Sequence, residues 1–231
     1  TGMTILDASS GNTGIAYAMF AAQRGYTLKL CLPKNANQER KDLLQAFGAD
    51  LIYTSPLEGS DGAIQKARLL AAENPDWFYC DQYSNDANWR AHYFGTGPEI
   101  WSQTNGSVTH LVSSLGTSGT FMGCSRFLKE KNPNIQCISV EPDTPFHGLE
   151  GMKHMESAMV PKIYDPSLAD QRMEVETEEV YRWVQRLAKT EGLLVGPSCA
   201  AAFYAAINVA KKLQHGNIVA IFPDSGERYL S

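Results

Sequence analysis

Short apolar, β-prone runs alternate with longer helical stretches along this chain, and that alternation limits its fold more than any other feature. Residues 3–8, 27–32, 50–54 and 77–80 read as strands, and 13–24, 38–47 and 61–73 between them read as helices. Gly25 and Gly48 stand just past the first two helices, where a left-handed residue closes a helix. Asn37 and Asp61 stand at the starts of the second and third, where a side-chain oxygen can cap free N–H groups. Asn74-Pro75 stops the third. Strand–helix–strand units repeated this way build a parallel sheet covered by helices. Residues 82–105 read as polar and turn-rich, with a short helix from Pro98, and a domain junction is expected near Asn85–Ala91. The pattern then resumes, with strands at 109–114, 135–141 and 218–222 and helices at 121–131, 177–190 and from Pro197-Ser198 to Leu213. Residues 142–171 read as irregular. The expected fold is α/β, with two lobes, 1–86 and 87–231, each built on mainly parallel strands.

Composition narrows the function classes. The 231 residues carry a net charge of −5, which argues against the basic face that nucleic acid needs. No apolar run approaches the ~20 residues of a membrane span. Thr1-Gly2-Met3 has neither the basic region nor the cleavage site of a signal peptide. Five cysteines at unpaired spacings read as free thiols of a reducing cytoplasm. None of the Cys/His spacings matches a zinc site, so no metal is expected.

Two turns carry the functional signal. Ser9-Ser10-Gly11-Asn12-Thr13-Gly14 joins the first strand to the first helix. Backbone N–H groups at the helix start, with the helix dipole behind them, form a seat for an anion. Gly11 and Gly14 permit close approach, while Ser9, Ser10, Thr13 and Asn12 add side-chain donors. Gly116-Thr117-Ser118-Gly119-Thr120 repeats this chemistry in the second half, with two glycines, three hydroxyls and no acid. It lacks the lysine of a Walker A loop and the spacing of a dinucleotide fingerprint. Two seats suit a phosphorylated cofactor and a carboxylate substrate; the plain alternative is two capped turns.

Four segments in this order, Ser9–Gly14, Thr96–Trp101 (Thr-Gly-Pro-Glu-Ile-Trp), Gly116–Thr120 and Ser225–Ser231 (Ser-Gly-Glu-Arg-Tyr-Leu-Ser), resemble those of the cysteine synthase (O-acetylserine sulfhydrylase) family of pyridoxal-phosphate enzymes. The resemblance covers essentially the whole chain. Ser125–Phe127 and the stretch from Gly151-Met152-Lys153 to Tyr164-Asp165-Pro166 look closer to the B-type branch. The resemblance implies the fold-type II, tryptophan synthase β-like architecture of two three-layer αβα lobes, the first smaller and mobile. It implies pyridoxal 5′-phosphate, its phosphate on Gly116, Thr117, Ser118, Gly119 and Thr120, its ring hydroxyl on Asn12 and its pyridine nitrogen at Ser225. It places the substrate carboxylate on Ser9, Ser10, Gly11, Thr13 and Gln82. Lys153 falls where some relatives read a phosphorylated leaving group; a solvated surface lysine is the plain alternative. Cys199, near a helix start, reads as packing.

A neutral hydroxyl at Ser225 would hold less negative charge on the cofactor ring than a carboxylate would. That suits prompt loss of a β leaving group and addition of a sulfur nucleophile. The implied reaction forms L-cysteine from O-acetylserine or O-phosphoserine and a sulfur donor, in a cytoplasmic enzyme expected to be a homodimer. The family's Schiff-base lysine precedes the first loop in a Ser-Val-Lys-Asp-Arg-like motif, and no lysine here matches it. The expectation is therefore an upstream lysine in the intact protein, no catalytic residue in this stretch, and no activity from this stretch alone. The other readings are a related fold-type II lyase, such as a cystathionine synthase or a diaminopropionate-forming enzyme, and a non-catalytic remnant.

Overall fold

The computed structural model describes residues 2–230; Thr1, and Ser231 at the end of the Ser225–Ser231 motif, lie outside the described residues. The chain divides into two compact units, Thr1–Gln82 with Arg228–Ser231, and Tyr83–Glu227. The first contains β1 (Thr4–Ala8), α1 (Asn12–Arg24), β2 (Thr27–Pro33), α2 (Gln38–Ala46), β3 (Asp50–Thr54), α3 (Gly59–Glu73) and β4 (Phe78–Tyr79). The second contains α4 (Ala87–Phe94), α5 (Thr96–Gln103), β5 (His110–Ser114), α6 (Gly119–Lys131), β6 (Gln136–Pro142), β7 (Gln171–Val175), α7 (Thr177–Glu191), α8 (Pro197–Ala210) and β8 (Ile218–Ala220).

The first sheet has the order β3-β2-β1-β4, every pair parallel. Strand alternation sorts its two faces. Leu28, Leu30 and Leu32 of β2 are buried with Ile15, Ala18 and Ala21 of α1 and Leu44 of α2. Leu6 and Cys31 point to the other face, where α3 packs on β1 and β2 through buried Ala63, Ile64 and Ala67. The helix ends follow local chemistry. Gly25 takes φ 68° and returns its N–H to Ala21 and Ala22, and the Asn37 side chain accepts from Arg40 N.

The second sheet, β7-β6-β5-β8, is also all parallel. Val112, Ile138 and Val140 pack against α7 and α8, which bring Val180, Leu187 and a run of small residues, Cys199 to Ala202. Leu111 and Cys137 face the opposite layer, Ile100 of α5 and Phe121, Met122, Cys124 and Leu128 of α6. Each unit is thus a helix–sheet–helix sandwich. In each, the chain enters on an inner strand, steps outward twice, and returns to that strand's other side. The strand order reverses between β1 and β4 and between β5 and β8. Ligands of such sheets bind at the carboxyl ends of the strands that flank this reversal.

Several sequence expectations are corrected. Asp61 is not the cap of α3: the helix starts at Gly59, after a 3₁₀ turn whose Ser55 side chain accepts from Leu57 N. Asp61 lies in the first turn, where a carboxylate still suits the dipole. Residues 87–94, expected as turns, form α4; none of its residues is fully buried, so it shows no clear apolar stripe. β7 was also not foreseen. It is an edge strand with only Val175 buried, so its alternation is nearly silent. The strand expected at 77–80 narrows to Phe78–Tyr79, that at 218–222 ends at Ala220, and the last helix ends at Ala210. Among the described residues, no helix is long and apolar enough to cross a membrane.

Glycine sets the spacing of α4 on α6. A Cβ at Gly123 would collide with the Trp89 carbonyl and sit 2.6 Å from His92 Cβ and 2.7 Å from Tyr93 N. A Cβ at Gly11 would meet nothing within 4 Å. We predict that Gly123→Ala lowers unfolding stability by roughly 1–3 kcal/mol, while Gly11→Ala changes it by less than about 1 kcal/mol. Urea denaturation midpoints check this; equal effects from the two variants would refute it.

Candidate active site

The turn after β1 is held from several sides. Ser9 N donates to Cys31 O at 3.1 Å, keeping the turn in register with the sheet. Ser9 Oγ accepts from Gly14 N at 3.0 Å and Gly11 N at 3.3 Å. It therefore serves the free donors of α1, whose N-cap, Gly11, brings no side chain. Gly14 eases this approach, since a Cβ there would lie 3.1 Å from Ser9 O and Oγ, tighter than side chains usually pack. Ser10, Gly11, Asn12 and Thr13 are half-buried. Asn12 Oδ1 accepts from Arg228. Ser10 O accepts from Arg40 at 3.4 Å, and the Arg40 guanidinium, 2% exposed, also donates to the Tyr229 hydroxyl and lies 4.7 Å from that ring's centroid.

Gln82 follows β4, across the reversal from this turn. Its Nε2 donates to Ala8 O at 2.7 Å, and its N–H donates to Asp7 Oδ2 at 3.3 Å. Asp7 Oδ1 accepts from Ala8 N at 2.8 Å. One buried carboxylate thus ties the end of β1 to the end of β4. Burial pushes the Asp7 carboxyl up to about 7, against the pull of the Ala8 and Gln82 N–H groups and the Tyr17 hydroxyl. Sequence reasoning singled out Gln82 and the turn, quoted Arg228 and Tyr229 only as part of the Ser225–Ser231 motif with no role, and missed Asp7 and Arg40. The available signals were an acid ending an apolar strand and an arginine four residues before Leu44 on a buried helix face.

The turn after β5 is built differently. Leu115 N donates to Val140 O and Leu115 O accepts from Lys153 N, each at 2.8 Å. A Cβ at Gly116 would collide with the Gly151 carbonyl, and one at Gly119 with the Asn88 side chain. Ser118 takes φ 71° at the N-cap of α6 and makes no capping bond. Its hydroxyl is buried and finds no partner among the described residues. Thr117 Oγ1 accepts from Asn88 Nδ2 at 3.0 Å and from Gly119 N at 3.4 Å. Thr120 Oγ1 lies 3.2 Å from His92 Nε2. Ser225 follows β8, the strand beside β5; it bridges to Val195, and Gly226 N donates to Leu194 O at 3.1 Å. Gly116–Thr120 and Ser225 therefore leave neighbouring parallel strands at the same end, beside the reversal of the second sheet.

Lys153 is not solvated. It is 4% exposed, with Nζ 5.3 Å from the Tyr83 ring centroid. Its main-chain bond to Leu115 puts it beside the Gly116 turn. Cys199 packs, as expected: burial pushes its thiol up to about 11, and Sγ donates to Asp224 O at 3.2 Å. A low-pKa nucleophile at the start of α8 is thereby removed from consideration. His92, which the sequence reading passed over, proves to be part of the turn's surroundings.

The second turn has what a phosphate dianion needs. It combines a helix N-terminus, two hydroxyls held in place, an orphaned buried hydroxyl, and glycines wherever a side chain would intrude. No acid stands within Gly116–Thr120 to oppose a negative charge.

Asp7 makes a testable contribution to stability. Its carboxyl titrates near 3.8 when unfolded and at about 7 when folded. Between those values the folded state keeps a proton that the unfolded state has released. The contribution is therefore full below pH 4 and is lost as pH rises through 7, roughly 4 kcal/mol in all. We predict that Asp7→Asn gains stability relative to the unsubstituted protein by about that amount between pH 4 and pH 8. Urea unfolding at both pH values tests it; a difference that stays constant with pH would refute it.

A family model described as pyridoxal-phosphate dependent enzyme matches residues 1–224. The chain is 50% identical over 235 residues to a cysteine synthase of Aquifex aeolicus, covering 100% of this chain and 72% of that protein. It is 44% identical over 230 residues to a cysteine synthase B of Pseudomonas aeruginosa, covering 100% of this chain and 76% of that one. Among solved structures, the cysteine synthase of Entamoeba histolytica superposes with a TM-score of 0.91 at 36% identity, covering 100% of this chain and 70% of that chain.

Proposed function

The chain belongs to the pyridoxal-phosphate dependent enzyme family, and from that premise we propose that it forms L-cysteine from an activated serine and a sulfur donor. The observation that carries this reading is the turn after β5. It is a glycine-lined helix start with a buried, unpartnered Ser118 hydroxyl at the reversal of a parallel sheet. Relatives named for cysteine synthase, similar over the whole chain, support the choice of reaction. The reading of a non-catalytic remnant gives way to that of an enzyme, and the cystathionine-forming alternative draws on less.

The residues fit the cofactor, and each has a task. Gly116, Thr117, Ser118, Gly119 and Thr120 hold its phosphate by main-chain N–H groups and hydroxyls. Ser225 offers the pyridine nitrogen a neutral hydroxyl, and Asn12 is assigned to the ring hydroxyl. Ser10, Gly11 and Thr13, with Ser9 bracing them and Gln82 beside them, take the substrate carboxylate at the start of α1. Ser9 Oγ already accepts two N–H groups, so it contributes only its own proton. Bound there, pyridoxal phosphate draws electrons from the substrate's α-carbon, so that a β leaving group can depart and a sulfur nucleophile replace it. Lys153, a buried cation beside the turn, favours an anionic leaving group such as the phosphate of O-phosphoserine. A cytoplasmic setting and a homodimer complete the proposal; the free cysteines support the former.

The test uses the intact protein supplied with pyridoxal phosphate. Cysteine formation is expected from sulfide with O-acetylserine or O-phosphoserine. Gly116→Ala is expected to cut cofactor affinity at least about tenfold, because its Cβ collides with the Gly151 carbonyl. Faster product formation with homocysteine than with sulfide would favour the cystathionine-forming alternative. We further predict that Lys153→Met lowers kcat/KM for O-phosphoserine about tenfold relative to O-acetylserine. An unchanged ratio would remove Lys153 from the site.

A further inference from the structure

Helix α4 carries two polar side chains one turn apart, and each meets one threonine of the turn after β5. Asn88 Nδ2 donates to Thr117 Oγ1 at 3.0 Å, and His92 Nε2 lies 3.2 Å from Thr120 Oγ1. Residues four apart share a helix face, so one face of α4 serves both hydroxyls. Gly119 and Gly123, also four apart, let α6 come this close; a Cβ at either would collide with α4. The far nitrogen of the imidazole, Nδ1, lies 3.0 Å from Thr96 Oγ1, so the ring is fixed at both ends. Burial lowers the His92 pKa, which keeps the ring neutral, with one nitrogen donating and the other accepting.

A threonine hydroxyl has one proton to give. When a neighbour donates to its oxygen, that proton is turned elsewhere; when a neighbour accepts it, nothing is left for a ligand. Asn88 Nδ2 and Gly119 N both donate to Thr117 Oγ1, so the Thr117 proton points away from them. We propose that α4 is a donor rail, in which Asn88 and His92 are positioning residues that turn the Thr117 and Thr120 protons toward the cofactor phosphate. The inference rests on the pyridoxal-phosphate reading. It requires the His92 proton to sit on Nε2, with Nδ1 accepting from the Thr96 hydroxyl.

Two near-isosteric substitutions separate the ends of the ring. A glutamine amide nitrogen reaches the place of Nε2, whereas an asparagine side chain reaches only that of Nδ1. In the intact protein, His92→Gln is expected to keep its affinity for pyridoxal phosphate within about threefold. His92→Asn is expected to lose about tenfold, the worth of a hydrogen bond to a charged group. Pyridoxal, which lacks the phosphate, should bind both variants as it binds the unsubstituted protein. The ³¹P resonance of the bound cofactor should move in His92→Asn and stay in place in His92→Gln. Combining His92→Asn with Thr120→Ala should cost no more than Thr120→Ala alone. Asn88→Ala gives a parallel arm through Thr117 should His92→Asn fail to fold, with the same contrast between the two ligands. Equal losses for pyridoxal and its phosphate, equal behaviour of the two His92 variants, or additive losses would overturn the inference. An unsubstituted protein that bound no pyridoxal phosphate would instead overturn the functional reading, and this inference with it. Tight binding with indifferent variants would overturn this inference alone.

Discussion

A helix begins with backbone N–H groups that nothing inside the helix can satisfy, and the rest of this structure depends on where two such beginnings fall. α1 and α6 each start directly after the strand that entered its sheet first, and each of those strands has a parallel neighbour on both sides. The turn has no room to spread, so it is tight: Gly14 N lies 3.0 Å from Ser9 Oγ, and Ser118 takes a left-handed backbone. The two beginnings are settled in different ways. Ser9 Oγ fills part of the first from within the protein. Ser118 makes no capping bond to the second, where Thr117 Oγ1 meets only Gly119 N of the helix's free donors and the buried Ser118 hydroxyl has no partner among the described residues. One physical deficit thus gives a braced loop in one unit and an open anion seat in the other.

Burying charge beside these turns carries a cost that apolar packing would not. Asp7 is fully buried, and its raised carboxyl value shows how far burial outweighs three hydrogen-bond donors. What the carboxylate does is directional. It accepts from Ala8 at the end of β1 and from Gln82 just after β4, a link that an apolar side chain could not make. Arg40 is comparable: its guanidinium reaches Ser10 O and Tyr229, so the turn after β1 and the last residues of the same unit share one cation. Both groups hold loop backbone in place, the precondition for precise substrate binding.

The second unit uses helix-on-helix packing for the same end. Gly119, Gly123, Asn88 and His92 form a matched set, with small residues on α6 opposite polar ones on α4. A Cβ at either glycine would collide with α4, and the polar pair meets Thr117 Oγ1 and Thr120 Oγ1, one each. Helix packing and the placing of the two threonine hydroxyls are here properties of one contact.

The sequence by itself determined the alternation of strands and helices, because side-chain periodicity and caps such as Asn37 and Gly25 act within a few residues. It also determined both glycine- and hydroxyl-rich turns, because the residues that permit such a turn must stand in it. Only the tertiary structure decided the elements that lean on distant partners. α4 has no fully buried residue of its own and exists through α6; β7 is an edge strand ordered by β6. The same holds for the supports of the turns: Asp7 and Gln82 are joined across the first sheet, and Arg40 to Tyr229 across most of the chain length. His92 meets Thr120 only because two helices pack. Hydrogen bonds between residues far apart in sequence leave no periodic trace, since their geometry is set by strand order and helix approach.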